Sequence, residues 1–276
     1  MTTWALPVTS GAQQIAYAST SGGTIFVPSI HFNVIYRYNA GVSVVWGSSG
    51  TADGQFTTPY GVATDLSGNL YVADSGNNRI QMFNSSGAWQ WSSPSSGVTA
   101  GSANGLFNFP TGLAVDASGD VWVADSGNNR LVKLDPTGAY VSSISGTFGG
   151  LAITSPWAVA TDNIHNWVYV SNLFCCIYRF QTDGTFLNQL GTYGSSGNGH
   201  FQSPDALAVD PTGNRLYVVD PNQSRVQVLS PMGDFGETFG NYSIFGSGSP
   251  LGVAVDGSGN VYVASNGTGS IQVYGP

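Results

Sequence analysis

Charge is what this 276-residue chain has least of: seven Lys and Arg with fifteen Asp and Glu make 8% of its residues, against ~25% in ordinary soluble domains. Lys133 is the single lysine and Glu237 the single glutamate, beside 38 Gly, 34 Ser, 21 Thr and 20 Asn. That poverty in Glu and Lys excludes an architecture of long amphipathic helices. Seven basic residues at a net charge of −8 cannot build the stripe that neutralises phosphates, which excludes nucleic-acid binding. No apolar run approaches the ~18 residues of a membrane span, so no membrane insertion is expected. The opening MTTWALPVTS lacks the basic flank and apolar run of a secretory leader, and none is expected within the chain. The two cysteines, Cys175 and Cys176, are neighbours and cannot staple distant segments. Two free thiols, one buried, are expected, because consecutive Cα atoms lie ~3.8 Å apart, short of the roughly 4.4–6.8 Å of ordinary disulfides. Metal binding there is disfavoured for want of a nearby His pair.

What is present can fold. A 41% apolar content with 12% aromatics is enough to bury a core and excludes a disordered chain. The hydroxyl- and amide-rich surface with one lysine points to an extracellular or cell-surface setting. Four glycosylation sequons, at Asn84, Asn222, Asn241 and Asn266, match the number expected by chance from this composition and carry no weight.

Self-similarity sets the architecture. Five segments share the pattern Pro-x-x-apolar-Ala-x-Asp, beginning at Pro59, Pro110, Pro156, Pro204 and Pro250. Their closing acids, Asp65, Asp116, Asp162, Asp210 and Asp256, are spaced by 51, 46, 48 and 46 residues. A degenerate sixth copy, QQIAYA, precedes them at residues 13–18. A period of ~40–50 with several short strands per unit predicts a β-propeller. In the second copy the strands fall at 61–65 (a), 70–74 (b), 79–83 (c) and 88–91 (d), separated by the turns LSGN, SGNN and NSSG. The last copy runs out after strand c, while residues 2–6 resemble a strand d that precedes the first strand a. The expectation is therefore a single all-β domain over 1–276: a six-bladed β-propeller of four-stranded antiparallel blades, its ring closed by the N-terminal strand completing the last blade.

These units resemble the NHL repeat family. Residues 54–87, GQFTTPYGVATDLSGNLYVADSGNNRIQMFNSSG, carry Pro-x-Gly, Asp-x-x-Gly-Asn, Tyr-Val-Ala-Asp and Asn-Arg-Ile, and residues 106–138 repeat the pattern. The resemblance extends over essentially the whole chain and implies the propeller fold. Its functional implications are broader, since such propellers serve as binding platforms, sensor domains and, in one branch, a lyase acting on peptidyl-hydroxyglycine with histidine-held zinc and nearby tyrosine and arginine. RNA-binding members use a basic top face, which this chain does not offer.

Most acids are accounted for by the repeat. Five end strand a as turn caps; Asp74, Asp125 and Asp220 end strand b and are expected to pair with Arg79, Arg130 and Arg225; Asp120, Asp135, Asp183 and Asp234 fall in turns. Asp53, Asp205 and Glu237 remain. The three histidines, His31, His165 and His200, are divided between opposite faces by the strand reading and cannot supply the roughly three convergent ligands of catalytic zinc. A calcium hydrolase of gluconolactonase type needs several inward acids and amides, and Asp205 alone is well placed. No nucleophile elbow occurs. No catalytic residue, metal ligand or cofactor is therefore assigned.

The remaining surface is the top, where the long loops 47–58, 92–109 and 191–203 lie with the b–c turns. The residue after each Pro is expected at the channel mouth: Tyr60, Thr111, Trp157, Asp205 and Leu251, with Gln13 from the degenerate copy. That set suits a small polar ligand, a glycan or a peptide, or else forms a packed mouth with no ligand. The b–c turns of the first and fourth blades depart from the polar pattern with Ile30, His31 and Phe32, and with Leu173 and Phe174 ahead of the cysteines. They mark either partner contacts or groups buried by the long loops. The reading is a non-catalytic scaffold binding a partner protein, glycan or neighbouring subunit through its top face. The alternatives are a structural subunit of an extracellular self-assembling fibre or homo-oligomer, and a divergent metal-dependent lyase or hydrolase.

Overall fold

The repeated Asp that ends each inner strand makes the turn that follows it. Asp65 Oδ1 accepts from the backbone N–H groups of Ser67 and Asn69, both at 2.9 Å, and Oδ2 accepts from Asn69 Nδ2 at 2.7 Å and the Tyr71 hydroxyl at 3.2 Å. Gly68 supplies the positive φ of +79° that closes the turn. Asp116 and Asp256 repeat the arrangement, with Trp122 Nε1 and the Tyr262 hydroxyl as the aromatic donors. A short acceptor, a glycine and an aromatic two residues into the next strand thus turn the chain and pin strand b against strand a.

A computed structural model describes residues 2–5, 16–18, 23–39, 42–95, 99–240, 249–265 and 269–276. Among them six four-stranded antiparallel sheets form the blades of a propeller. Blade 1 is Ala16–Ala18, Thr24–Ser29, Val34–Asn39 and Val42–Trp46; blade 2 is Pro59–Thr64, Leu70–Asp74, Arg79–Phe83 and Trp89–Ser93. Blade 3 is Pro110–Val115, Val121–Asp125, Arg130–Leu134 and Tyr140–Ile144; blade 4 is Pro156–Asp162, Trp167–Asn172, Cys176–Gln181 and Phe186–Leu190. Blade 5 is Ala206–Val209, Leu216–Asp220, Arg225–Leu229 and Phe235–Phe239, and blade 6 is Pro250–Val255, Val261–Ser265 and Ser270–Tyr274. The fourth strand of blade 6 is Thr2–Ala5, paired antiparallel from Thr2↔Val273 to Ala5↔Ser270, so the N-terminal strand closes the ring as expected.

The core lies between blades, in six seams. Side chains of one sheet face pack on the next: Tyr71, Ala73 and Ile80 of blade 2 meet Leu113, Val115 and Val123 of blade 3, and five equivalent clusters fill the other seams. Polar latches add to three of them. Asn33, Asn78 and Asn129, each with φ between 52° and 55°, precede strand c in blades 1, 2 and 3. Their side-chain oxygens accept from the backbone N–H of Thr58 (2.7 Å), Phe109 (2.9 Å) and Ser155 (2.8 Å), the residues just before the next blade's proline.

Two expectations are corrected. Arg79 and Arg130 pair with Asp74 and Asp125 at 2.8 and 2.7 Å, but Arg225 forms no ion pair with Asp220. Its guanidinium turns instead to the carbonyls of Gly197 and His200, while Asp220 accepts from the N–H groups of Gln202 and Ser203. The cysteines are joined in a vicinal disulfide and are not free thiols. Cys175 sits in a three-residue turn whose N–H bonds Asn172 O at 3.1 Å, and Cys176 opens strand c opposite Asn172, so the turn itself sets the two sulfurs side by side.

Candidate functional site at the top face

The top face is rigid where the repeat is intact. In blade 2 the turn Ser75–Asn77 is bound on all sides: Ser75 Oγ donates to Pro110 O, Asn77 Nδ2 to Gly50 O at 2.8 Å, and the Gly76 N–H to Thr57 O at 2.9 Å. A Cβ on Gly76 would come within 2.8 Å of that carbonyl, so only glycine fits. Beneath the turn, Asp74 is fully buried and accepts from Thr57 N, Asn77, Arg79 and Gln81. Burial still pushes its carboxyl above the usual carboxylate range, against those donors.

The channel mouth is partly filled by its own residues. Tyr60 of blade 2 and Trp157 of blade 4 meet edge to face, with centroids 5.4 Å apart, and Phe109 closes on Tyr60 from the other side at 5.4 Å. Thr111 lies under this contact, fully buried, and its hydroxyl donates to Trp157 O at 2.9 Å; it ties blades 3 and 4 together. Leu251 is buried as well. Asp205 is half-buried and accepts from the Ser203 hydroxyl at 2.6 Å. Burial pushes its carboxyl up to about 6; the Ser203 hydroxyl opposes this and the Asp220 charge adds to it. The Tyr60 hydroxyl is raised too, by burial and then by the Asp205 charge across the channel. Gln13 lies outside the described residues. The inner strands of blades 2 to 6 line an open cavity of about 240 Å³, with Val62, Leu113, Val159, Leu207 and Val253 on its wall.

The departing turns keep their apolar groups in solvent. Ile30 and Leu173 are half-buried, His31 is exposed against the edge of Phe32, and Phe32 and Phe174 are 46% and 64% exposed. The long loops therefore do not cover the two phenylalanines. Around blade 4 two further apolar groups, missed in the sequence, join them on flanking loops: Leu151 at 44% and Tyr193 at 64% exposure. Leu151 rides on the hairpin Thr147–Phe148 and Leu151–Ala152, which Phe148 anchors against Tyr178, Phe180 and Phe186 and which Asn172 Nδ2 binds through Ala152 O at 3.1 Å. Tyr193 rides on the pair Thr192–Tyr193 and His200–Phe201, anchored by the fully buried Phe201. The Gly-Gly at 149–150, preceding an apolar residue in a connecting loop, was the available signal for Leu151.

The histidines stay apart. His165 lies in the a–b turn of blade 4, on the bottom, bonded to Asp162 at 2.6 Å and stacked on Trp167; His200 bonds Thr192 on the top. Among the described residues no three or more His, Cys, Asp or Glu side chains come together to hold a metal ion, so the residues do not fit the zinc that the lyase resemblance implies.

Comparison with known proteins agrees with the repeat. The NHL repeat model matches residues 56–83 and 107–134. The chain is 29% identical over 141 residues to mouse peptidyl-glycine alpha-amidating monooxygenase, covering 47% of this chain and 14% of that protein. It is 28% identical over 230 residues to mouse NHL repeat-containing protein 3, covering 80% of this chain and 51% of that one. The chain thus spans at most about half the length of these two relatives. Among solved structures, a gluconolactonase from Xanthomonas campestris superposes with a TM-score of 0.70 at 15% identity, over 96% of this chain and 87% of that one. At that identity the likeness is one of fold.

Proposed function

We propose that this chain, a β-propeller with NHL repeats at residues 56–83 and 107–134, is a non-catalytic platform that docks a partner protein on the top of blade 4. The observation that carries this reading is the exposure of Phe174, Tyr193 and Leu151 on one turn and its two flanking loops, each built on a buried aromatic or polar anchor. Apolar side chains held out by a rigid frame lose little conformational entropy on docking, which is what an interface anchor needs. The surrounding top face is neutral, so recognition rests on shape and apolar contact and not on charge steering. The vicinal disulfide beneath Phe174 and the charge-poor surface support an extracellular setting for this platform.

The test uses three immobilised full-length chains exposed to the secreted proteins of the source: wild type, the double variant Phe174→Ser/Tyr193→Ser, and Leu66→Ser on the bottom face, where Leu66 is 85% exposed. A protein retained by wild type and by Leu66→Ser but lost from the double variant is the expected result. Identical retention on all three removes the top of blade 4 as the docking site.

A further inference from the structure

The outer strands of the blades are the ring's exposed edges, and unpaired edges recruit other strands unless charge, proline or a bulge blunts them. In blades 2, 3, 4 and 5 the outer pair is broken by a register shift, at Met82/Phe83, Lys133/Leu134, Arg179/Phe180 and Val228/Leu229. Blade 5 adds a charge, Glu237. Blade 1 has neither device. Its outer strand Val42–Trp46, VSVVW, pairs in unbroken register from Ile35↔Trp46 to Asn39↔Val42 and contains no charge, proline or glycine. Ser43, Val44 and Val45 are all exposed, Val44 at 47% and Val45 at 53%, so both faces of the strand meet solvent. The N-terminal strand of blade 6 also runs in register, but it is only four residues long. Among the described residues no strand pairs with the free side of Val42–Trp46.

The charge distribution says what fits this edge. The first acid in the chain is Asp53, and Arg37 is the only charged residue before it, so residues 53–276 hold six bases against fifteen acids, −9. Arg37 stands opposite Val44 on the neighbouring inner strand and lies over the Trp46 ring at 5.5 Å, so the one charge of this blade is not on the edge strand itself. Two copies repel through most of their surfaces and meet without repulsion through blade 1. We propose that Val42–Trp46 pairs antiparallel with the same strand of a second copy, joining two blades into one eight-stranded sheet about a two-fold axis at Val44. In that register Val44 faces its own counterpart and Ser43 faces Val45, so every cross-strand pair is apolar or hydroxyl and no like charges oppose. This surface is separate from the top of blade 4, and its failure leaves the docking proposal untouched.

Analytical ultracentrifugation of the full chain from about 1 to about 100 µM is expected to show a monomer–dimer equilibrium. Val44→Lys sets two ammonium groups face to face and raises the dissociation constant at least ~tenfold, whereas Val141→Lys, on the register-shifted outer strand of blade 3, leaves it unchanged. Because a lysine could also disturb the blade, Val44→Cys provides an independent readout: mild oxidation yields a covalent dimer, and Val141→Cys treated alike stays monomeric. A wild-type chain that is monomeric throughout, a Val44→Lys variant that dimerises like wild type, or equal cross-linking at both cysteines overturns the proposal.

Discussion

At the top of blade 2 the b–c turn ties itself to the loops and to blade 3 through Ser75 Oγ, the Gly76 N–H, Asn77 Nδ2 and Asn78 Oδ1; at the top of blade 4 the corresponding turn is one residue shorter and reaches the preceding loop through the Leu173 N–H, which donates to Ser155 O at 3.4 Å. The strand ends that face each other are Asp74 and Arg79 in one and Asn172 and Cys176 in the other. The latch residue is Asn78 in one and the disulfide-bonded Cys175 in the other, while the N–H of Ser203, which a latch there would take, goes to Asp220. Blade 4 keeps its seams by apolar packing, through Val168, Val170, Tyr178 and Phe180 on one side and Tyr169, Ile177 and Leu190 on the other, and by polar ties made away from its own b–c turn: Asn129 and Thr111 of blade 3 bind Ser155 N and Trp157 O, and the Tyr169 hydroxyl donates to Pro231 O at 3.3 Å. The difference teaches that ring cohesion and top-face presentation compete for the same turn. In blade 4 the seams are secured by apolar packing and by polar ties made outside the b–c turn, and the turn is released to expose Phe174.

The strongest way to break this comparison is to remove the ion pair beneath an intact turn. Arg79→Ala leaves Asp74 fully buried without its cation and removes one of two donors from each of the loop carbonyls Ala52 O and Gln55 O, which keep the Gln55 N–H and Gln81 Nε2. The expected loss is about 3–5 kcal/mol in urea unfolding. Arg225→Ala, at the position where the arginine binds only loop carbonyls, is expected to cost roughly 1–2 kcal/mol. Equal losses at the two sites would mean that the pair contributes nothing beyond the carbonyl bonds.

A smaller effect sharpens the same contrast. Asn78→Ala leaves the Phe109 N–H facing an apolar gap and is expected to destabilise by about 1–2 kcal/mol. Phe174→Ser, at the released turn, is expected to change stability by less than about 0.5 kcal/mol. Matching chemical-denaturation midpoints for both variants would show that the latch residue is no more structural than the exposed phenylalanine.

The sequence announced the intact blades and was silent on the altered ones. Strands Leu70–Asp74 and Arg79–Phe83 fall where the Asp, Gly and Asn punctuation puts them, because each turn is fixed by residues within it. Ring closure was legible too, since a missing fourth strand at one end and a spare one at the other admit one solution. The neighbouring strand a instead begins at Pro59 and the outer strand runs Trp89–Ser93, two residues beyond the boundary read from the pattern. What depends on distant partners stayed hidden: Arg225 choosing carbonyls over Asp220, Thr111 disappearing beneath Trp157, and Tyr60 reaching Trp157 across the intervening blade. The Asn latches bridge blades ~25–31 residues apart in sequence, and no local pattern marks their acceptors' targets.

Asp205 carries the last test, one read as a pH dependence, at the seam where the latch is missing. Asp74 keeps an arginine and three further donors, whereas Asp205 is raised to about 6 by burial, opposed by the Ser203 hydroxyl. Its ordinary value in the unfolded chain is ~3.9. A folded pKa above the unfolded one means that the native state holds the proton more tightly. The resulting stability is full below about pH 4 and is lost as pH rises through about 6. Asp205→Asn keeps the shape and removes the titration. The melting temperature of the wild type relative to the variant is therefore expected to be highest near pH 4 and to fall by a few degrees by pH 7. A difference that stays constant across that range would show that Asp205 titrates as it does in the unfolded chain, and that the channel mouth does not withdraw it from water.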